Sequence, residues 1–268
     1  MSKTSDILVI DDEQVVIDAV IKICSLENYS VDTATTVTQA LEKIVHNKYG
    51  IIVSDIMMPD GDGFQILDEL HNRNIDSAII MMTGFSTVEN AVNSLYKGAI
   101  DFIPKPFTVD ELLSSLFRAS KYQKIKVKQE QMSMQKGNGE ILYVNCPAKY
   151  FRLGYSSWMF PERDGSVLTG VCDLFLKTID SVKEIEFTEP ESEIVQGISC
   201  AKITSGDERE HKILSPVSGR IVKVNSNLKT NHSLVEKDPY FEGWMYRVIP
   251  MDIGYEQKLL TPCSSDRL

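Results

Sequence analysis

Three aspartates in the amino-terminal half of the chain follow short apolar runs, and together they could bind a cation. Asp11 and Asp12 come directly after ILVI, and Asp55 comes after IIVS. Short apolar runs that end in acids, and then in Pro or Gly, predict buried parallel strands that lead into polar loops. Because the carboxyl ends of neighbouring parallel strands share one crevice, we expect the three carboxylates to meet. Carboxylates this close repel one another unless a hard cation lies among them, and oxygen ligands suit Mg2+.

A hydroxyl group and an ammonium group are expected at the same edge. Thr83 ends the apolar run AIIMM, and Lys105 follows the run DFIP. Attachment of a phosphoryl group to a carboxylate needs a nucleophilic oxygen, a divalent cation and donors for the phosphoryl oxygens. Asp55 is the natural nucleophile, since it ends the central strand and the other side chains flank it. A lone aspartate after a strand commonly caps a helix or a turn, so the prediction depends on the whole set.

The order of the strands and helices supports this placement. From about Lys3 to Ala119, five apolar strand segments alternate with amphipathic helical segments. This order predicts a doubly wound α/β fold, flavodoxin-like, in which helices cover both faces of a five-stranded parallel sheet. Thr108, with Glu111 three residues later, has the capping-box spacing and predicts the start of the fifth helix.

The size and the charge of the chain limit its function classes. With 268 residues it is long for one domain, and its net charge of −10 argues against a general nucleic-acid binder. Its five cysteines are scattered without CxxC spacing, which disfavours a metal cluster or disulfide framework and fits reduced thiols. No apolar run approaches the roughly 20 residues of a membrane span, so we predict a cytoplasmic protein.

The motifs at the strand ends are similar to those of a known family. VIDDE, SDIMMPDGDGF, MMTG and DFIPKPF occur in this order. Over about the first 120 residues the chain thereby resembles the receiver domain of bacterial two-component response regulators. The resemblance implies that Asp55 accepts a phosphoryl group from a sensor histidine kinase or phosphotransfer protein. It also implies that Asp12, Asp55 and the backbone carbonyl of Met57 ligate Mg2+, with Asp11 acting mostly through water.

The same resemblance assigns roles to residues of the last two strands of the sheet. It implies that Thr83 and Lys105 hold the phosphoryl oxygens, and that the bond between Lys105 and Pro106 is cis. Phe102 stands where the family has an aromatic side chain that rotates on activation, although an aromatic residue in a strand equally fits a plain core position.

Two apolar residues bear on the lifetime of the phosphoryl group. In this fold, the residues two positions after the phosphoacceptor and two after the threonine border the path of the hydrolysing water. They are Met57 and Phe85 in this sequence. Because neither can orient water and both can exclude it, we predict a slowly hydrolysing phosphoaspartate.

A basic, polar segment follows the receiver-like residues 1–120. Residues 121–140 contain five lysines against two glutamates, and a Gly-Asn-Gly sequence lies near their end. This composition is typical of a solvated linker. The alternative is that the fifth helix continues into it as a signalling helix or a homodimer contact, although its apolar seam is patchy for a coiled coil.

Residues 141–254 consist of short strand segments and turns. GSVLTGV, KEIEF and GWMYRVI are strand-like, and Asp-Gly, Glu-Pro, Ser-Gly and Asp-Pro turns separate such segments. This texture predicts a mainly-β barrel-sandwich domain with one helix near VCDLFLKTI. Residues 255–268 are polar and are predicted to form a mobile tail.

This second part of the chain resembles another family. SPVSGRIVKVN, followed by LVEKDPYFEGWMYRVIP, is similar to the lipoyl-carrying H protein of the glycine cleavage system. That family attaches lipoate to a lysine eight residues before the proline of SPVSG, and the same count from Pro216 falls on Glu208. A carboxylate cannot form the amide, and Lys202 or Lys212 would need an alignment gap. Lipoate is therefore not expected.

These observations favour a response regulator whose output is protein binding. Phosphorylation of Asp55 would change the contacts of a degenerate H-protein-like domain with an unidentified protein partner. A transcription factor would need a basic recognition helix, which residues 141–252 do not offer, and an ATP-driven enzyme would need a GxxxxGK[ST] loop. A lipoyl-type carrier in glycine or one-carbon metabolism is a third alternative, which the missing lysine disfavours. We expect Mg2+ as cofactor, no nucleic acid partner and no catalytic output domain.

Overall fold

The computed structural model of the chain describes residues 6–84, 87–134 and 141–267. The chain divides into two compact units. The first unit comprises Met1–Ser86 and Lys97–Lys128, and the second comprises Thr87–Tyr96 and Gln129–Leu268. Within the described ranges, no helix combines the length and the apolar character needed to cross a lipid bilayer.

The first unit is built on a five-stranded sheet with the strand order β2-β1-β3-β6-β7, and its strand pairs are parallel. The strands are β1 (Ile7–Ile10), β2 (Val31–Ala34), β3 (Ile51–Asp55), β6 (Ala78–Thr83) and β7 (Asp101–Pro104). A short antiparallel ribbon of β4 (Met57–Met58) and β5 (Gly61–Asp62) follows β3. The predicted five-stranded parallel sheet is confirmed.

Four helices belong wholly or mainly to this unit. They are α1 (Gln14–Leu26), α2 (Val37–His46), α3 (Phe64–Asn72) and α5 (Val109–Met134). In α1 the buried side chains are Ile17, Val20, Ile23 and Cys24, whose spacing places them on one helical face. Strands β1, β3 and β6 are buried along their whole length, as expected of central strands covered on both faces.

Helix α5 begins as the sequence predicts and extends further than a receiver-like domain of about 120 residues requires. The Glu111 N–H donates to Thr108 Oγ1 at 3.2 Å, and the Thr108 N–H donates to Glu111 Oε2 at 2.9 Å, which is the capping box. The helix then continues to Met134. Most of the segment predicted as a linker, residues 121–140, is thus helical, and residues 135–140 lie outside the described ranges.

The second unit contains the predicted mainly-β domain. An antiparallel sheet has the strand order β12-β15-β16-β10-β9-β8-β17, and a three-stranded sheet has the order β11-β13-β14. The strands are β8 (Phe151–Leu153), β9 (Ser157–Pro161), β10 (Val167–Val171), β11 (Val182–Phe187), β12 (Glu193–Ile194), β13 (Ser199–Ser205), β14 (Glu210–Leu214), β15 (Gly219–Val224), β16 (Tyr246–Pro250) and β17 (Thr261–Pro262).

The helices of the second unit are mostly short. They are α4 (Val88–Tyr96), α6 (Asp173–Thr178), α7 (Ser226–Thr230), α8 (Leu234–Lys237), α9 (Ile253–Glu256) and two 3-10 helices, Gln257–Leu259 and Cys263–Arg267. Helix α6 is the helix predicted near VCDLFLKTI. The other short helices have too few residues to show a helical period in the sequence.

The core of the second unit combines strand residues with residues of several helices. Val92 and Leu95 of α4 belong to the same hydrophobic cluster as the buried strand residues of the β domain. A second cluster surrounds Trp158, whose indole N–H donates to the carbonyls of Val171 at 3.0 Å and Pro239 at 3.1 Å. Because the only donor of this buried ring is satisfied, the indole stabilises the domain without an unpaired polar group.

The carboxyl-terminal segment differs from the mobile tail predicted over residues 255–268. Leu260 and Cys263 are buried, and β17 pairs with β8. The Cys263 N–H also donates to the carbonyl of Tyr150 at 3.0 Å. The apolar residues of this segment are too few to form a period, so its burial could not be read from the sequence.

Candidate functional site

The three predicted carboxylates meet at the carboxyl edge of the parallel sheet. Asp11, Asp12 and Asp55 each offer one oxygen, and these oxygens lie within 4.8 Å of one another. Asp11 is 0% exposed and Asp55 is 4% exposed, whereas Asp12 is exposed. Strands β1 and β3 are neighbours in the sheet, so the loops that follow them bring the side chains together, as predicted.

Lys105 supplies the positive charge of the site. Its Nζ lies 2.6 Å from Asp11 Oδ2 and 2.6 Å from Asp55 Oδ2, and Glu13 Oε1 lies 3.7 Å away. The lysine side chain is only 10% exposed, so these ion pairs are largely shielded from water. The ammonium group thus bridges two buried carboxylates that would otherwise repel each other.

The pKa values of the buried pair reflect opposing causes. Burial raises the pKa of Asp11 above its usual range, because desolvation exceeds the opposing effects of Lys105 and the Glu13 N–H. For Lys105, burial lowers the pKa, but the hydrogen bonds to Asp11 and Asp55 outweigh it and the net pKa is raised. The lysine therefore remains a cation at neutral pH.

Thr83 lies at the end of β6, beside the lysine. Its backbone carbonyl accepts a hydrogen bond from the Lys105 N–H at 2.8 Å, and the residue is 0% exposed. The Lys105–Pro106 peptide bond is cis, as the family resemblance implied. Neighbouring strands β6 and β7 thus deliver a hydroxyl-bearing and an ammonium-bearing residue to the edge that carries the carboxylates.

The loop after Asp55 is held by its own backbone. The Met57 N–H donates to Asp55 Oδ1 at 3.2 Å, and the Ile56 N–H donates to the carbonyl of Met82 at 2.9 Å. The Gly63 N–H returns to the carbonyl of Ile56 at 2.8 Å. These bonds fix the direction in which the Asp55 carboxylate leaves the strand.

Sequence reasoning missed two residues that build this loop. A Cβ atom at Gly63 would lie 2.0 Å from the carbonyl oxygen of Asp55, so the backbone leaves room only for hydrogen. The Asp60 carboxylate accepts from the N–H groups of Val37 at 3.0 Å and Thr38 at 3.1 Å, at the start of α2. The sequence PDGDG could have revealed both residues, since acids and glycines are typical of tight turns and helix caps.

The remaining predicted site residues lie near the same edge or outside the described ranges. Met57 is the first residue of β4, and its side chain is 55% exposed. Phe102 lies on β7, paired with Met81, and packs partly buried against the core of the sheet. Phe85 lies outside the described residues.

The donor set fits a hard divalent cation. The converging side chains are carboxylates, with no sulfur or imidazole in the group formed by Asp11, Asp12 and Asp55. All-oxygen donors suit Mg2+ and Ca2+ rather than zinc or copper. The exposed carboxylate of Asp12 leaves the group open to solvent on one side, which suits an ion that retains several waters.

In the second unit, Glu208 lies at the turn between β13 and β14. The Glu208 N–H donates to the carbonyl of Ser205 at 2.9 Å, and its φ angle is 63°. The carboxylate forms an ion pair with Lys183. The position predicted from the lipoyl spacing is thus a hairpin tip, and it carries a carboxylate.

The two lysines nearest in sequence lie on the flanking strands. Lys202 of β13 and Lys212 of β14 are paired across the hairpin. Lys202 Nζ forms ion pairs with Glu186 at 2.9 Å and Glu210 at 3.1 Å. Neither lysine occupies the tip.

Comparisons with known proteins match the two parts of the chain separately. The family model "Response regulator receiver domain" matches residues 7–117, and the family model "Glycine cleavage H-protein" matches residues 149–266. Response regulator MprA of Mycobacterium sp. (strain KMS) is 36% identical over 110 residues, which are 41% of this chain and 48% of the relative. The chain therefore spans about half the length of the curated relatives it matches.

Solved structures also match each part. A CheY-like receiver domain protein from Methanospirillum hungatei JF-1 is 31% identical, with a TM-score of 0.44, over 46% of this chain and 99% of that one. A glycine cleavage system H protein from Mycobacterium marinum is 23% identical, with a TM-score of 0.39, over 44% of this chain and 94% of that one. By the two family models, the chain contains a response regulator receiver domain followed by a glycine cleavage H-protein domain.

Proposed function

We propose that Asp55 accepts a phosphoryl group from a phosphohistidine of a sensor kinase or phosphotransfer protein. We further propose that this modification controls protein contacts of the H-protein-like domain. The observation that carries the proposal is the shared ion pair: Lys105 Nζ lies 2.6 Å from both Asp55 Oδ2 and Asp11 Oδ2 at the sheet edge. The carboxylate of Asp55, the ammonium group of Lys105 and the carboxylate of Asp11 thus lie together at this edge of the sheet.

The transfer exchanges one bond for another. An oxygen of the Asp55 carboxylate forms a P–O bond as the P–N bond of the phosphohistidine breaks. The imidazole nitrogen keeps the electron pair of the broken bond and takes up a proton. A carboxylate is itself the nucleophile in this reaction, so the transfer needs no separate base to activate it.

Side chains of the site orient the phosphoryl group and neutralise its charge during the transfer. Lys105 exchanges its contact with the carboxylate for one with a phosphoryl oxygen, since an ammonium group pairs with either anion. The Thr83 hydroxyl donates to another phosphoryl oxygen, and the Phe102 side chain rotates in response. Asp12, Asp55 and the Met57 carbonyl would hold Mg2+, with Asp11 acting through water. When bound, Mg2+ neutralises charge on the phosphoryl oxygens.

Two features of the second unit support a protein-binding output. Glu208 occupies the hairpin tip and is paired with Lys183, so the tip offers no free amine at the position where the H-protein family carries lipoate. The described core retains the family's β architecture. A domain that keeps its fold without the prosthetic attachment point is suited to recognise a partner surface.

The test is transfer from a small phosphodonor to the purified full-length chain. Incubation with acetyl phosphate and Mg2+ is expected to add the mass of one phosphoryl group, and chelation of Mg2+ is expected to prevent the gain. Asp55→Asn removes the nucleophile and is expected to abolish labelling. Asp62→Asn is the matched control, because Asp62 is an exposed acid of the same loop whose Oδ1 accepts from the Phe64 N–H at 2.8 Å. Labelling that persists in Asp55→Asn would refute the assignment.

The lifetime of the phosphoryl group is a separate proposal. The exposed Met57 side chain borders the route of water to Asp55 and cannot polarise a water molecule. A half-life of hours in Mg2+ buffer is expected after the donor is removed. Met57→Glu, which adds a group able to orient water, is expected to shorten it, and a half-life below a minute in the native chain would contradict the proposal.

A further inference from the structure

Three of the five cysteines, which are distant from one another in the sequence, lie together in the second unit. Cys146, Cys172 and Cys263 all belong to the hydrophobic cluster around Trp158, and they are 3%, 3% and 0% exposed. Among the described residues, only the acidic group at the sheet edge brings three potential metal ligands within 4.8 Å of one another. The three sulfurs therefore form no three-ligand metal site, and their grouping needs another explanation.

Two of these thiols are direct partners. The Cys146 and Cys263 side chains are hydrogen-bonded to each other, and Cys172 lies close enough to interact electrostatically with Cys146. Burial raises the pKa of Cys146, so its sulfur is a protonated thiol at neutral pH. Because a hydrogen bond between two thiols brings their sulfurs close to van der Waals contact, a disulfide between them needs only a local adjustment.

Hydrogen bonds on both sides fix the position of Cys146 near the start of the β domain. The Val144 N–H donates to Asp173 Oδ2 at 2.6 Å, and the Val144 carbonyl accepts from the Tyr240 hydroxyl at 2.9 Å. Further along the chain, the Tyr150 hydroxyl donates to the carbonyl of Tyr240 at 3.0 Å. Cys146 thus lies between two anchored residues, and the fold sets the position of its sulfur.

Cys263 lies on a more weakly held segment. Strand β17 is an edge strand of the larger antiparallel sheet, and it pairs with β8 through two residue pairs. One of its two residues is a proline, which has no N–H to donate. The Cys263 N–H donates to the carbonyl of Tyr150 at 3.0 Å. A short edge segment of this kind opens locally more often than a central strand, and opening exposes the Cys263 thiol.

We propose that Cys146 and Cys263 form a reversible disulfide, which links the start of the β domain to its carboxyl-terminal segment. The proposal goes beyond the proposed function, since neither sulfur takes part in phosphoryl transfer. The oxidant is a small disulfide such as oxidised glutathione. Because small thiols reduce the bond again, its state follows the balance of thiols and disulfides around the protein.

The bond forms by two thiol–disulfide exchanges. In the open segment, the Cys263 thiolate attacks one sulfur of the small disulfide, and the other half leaves as a thiolate that takes up a proton. After the segment closes, Cys146 gives up its proton and attacks Cys263 Sγ, and the second half of the oxidant leaves with that proton. Two protein thiols are thereby oxidised, and one small disulfide is reduced to two small thiols. Cys172 takes no part.

Mass spectrometry of the full-length chain tests the pair and its order of reaction. With oxidised glutathione, the native chain is expected to lose two hydrogens and to show a Cys146–Cys263 link in its peptide map. Dithiothreitol should restore both thiols. Cys146→Ala is expected to stop at a glutathione adduct on Cys263, because the second exchange is blocked. Cys263→Ala is expected to react about tenfold more slowly, because its remaining partner thiol is buried and protonated.

Two other buried cysteines supply the controls. Cys172→Ala and Cys200→Ala are expected to retain the link, since the Cys200 thiol donates to the carbonyl of Ile213 at 3.4 Å in a different cluster. A link that uses Cys172, or a glutathione adduct that persists on the native chain, would overturn the proposal. Survival of both thiols over a period in which the amides of residues 263–267 exchange completely would overturn it as well.

Hydrogen exchange tests what the bond does. Oxidation of the native chain is expected to slow amide exchange about tenfold in residues 263–267, since the link opposes local opening of this segment. Exchange in residues 51–55 of the receiver sheet is the internal reference and should stay within about twofold. Cys200→Ala should show the same protection, and Cys146→Ala should show none. Equal exchange in the oxidised and reduced native chain, with the Cys146–Cys263 bond present, would refute its role as a link.

Discussion

The acidic edge of the first unit and the hairpin tip of the second are both positions at which a family resemblance predicts chemistry. They differ in whether the side chains that this chemistry needs are present. At the edge, Lys105, Asp11 and Asp55 remain in mutual contact. At the tip, Glu208 occupies the position predicted from the lipoyl spacing and is paired with Lys183. The chemistry predicted for the edge needs several side chains at once, whereas attachment of lipoate at the tip would need one amine. A single residue at the tip would therefore decide whether attachment is possible.

The fold around the tip persists because its stability has another origin. The clusters around Trp158 and around the strand residues consist of buried side chains, whereas residues 206–208 of the turn are exposed. The tip itself is held by its backbone and by a surface ion pair, which contributes less than about 1 kcal/mol. We therefore expect the residue type at this exposed turn to have little effect on the free energy of unfolding.

The largest expected effect is a gain of modification at the tip. With a lipoate-attaching enzyme, the native chain is expected to show no mass increase, and Glu208→Lys is expected to gain one lipoyl group. Glu210→Lys, on the neighbouring strand, is the control and should gain none. Lipoylation of the native chain, on Lys183 or Lys202, would remove the contrast between the two sites.

The next effect concerns stability of the second unit alone. Trp158→Ala removes a fully buried indole and two hydrogen bonds, and it is expected to destabilise this unit by about 3–5 kcal/mol. Chemical denaturation followed by tryptophan fluorescence of Trp244 would measure the loss. Asp55 labelling should remain, since the receiver has its own core. Equal loss of labelling would show that the two units do not fold independently.

A smaller effect is expected for Mg2+ affinity at the edge. Lys105→Ala removes the ammonium that competes for Asp11 and Asp55, so Mg2+ is expected to bind about tenfold more tightly, equivalent to ~1.4 kcal/mol. Labelling of Asp55 should nevertheless fall, because a phosphoryl contact is lost. Lys97→Ala is the control, since Lys97 pairs with the exposed Asp68. Weaker Mg2+ binding in Lys105→Ala would contradict the charge assignment.

The smallest effect is a dependence of stability on pH at the sheet margin. Burial raises the pKa of Asp32, but hydrogen bonds from Lys43 and Tyr49 outweigh it and the net pKa is lowered. A carboxylate with a lowered folded-state pKa stabilises the fold at neutral pH and loses this contribution as pH falls below its usual range. Asp32→Asn is expected to cost about 0.5 kcal/mol at pH 7, since the group is about a third exposed. The difference from the native chain should shrink in urea titrations as the pH is lowered through the folded-state pKa of Asp32.

The sequence predicted the residues of the acidic edge, but it did not predict the backbone and packing contacts that position them. Asp55, Thr83 and Lys105 were found because strand ends are marked by apolar runs. Gly63 was missed, since its closeness to the Asp55 carbonyl depends on the path of the β4–β5 ribbon. An amphipathic helix shows that one face is buried but not which partner buries it, so the packing of Leu95 in the second unit could not be predicted.

Gly63 also limits which amino-acid substitutions the chain can tolerate. The Asp55 carbonyl occupies the volume that any side chain at position 63 would need. In a saturation library selected for signalling, position 63 should be depleted as strongly as position 55, although glycine takes part in no chemical step. Position 63 would then tolerate substitution as poorly as the nucleophile at position 55.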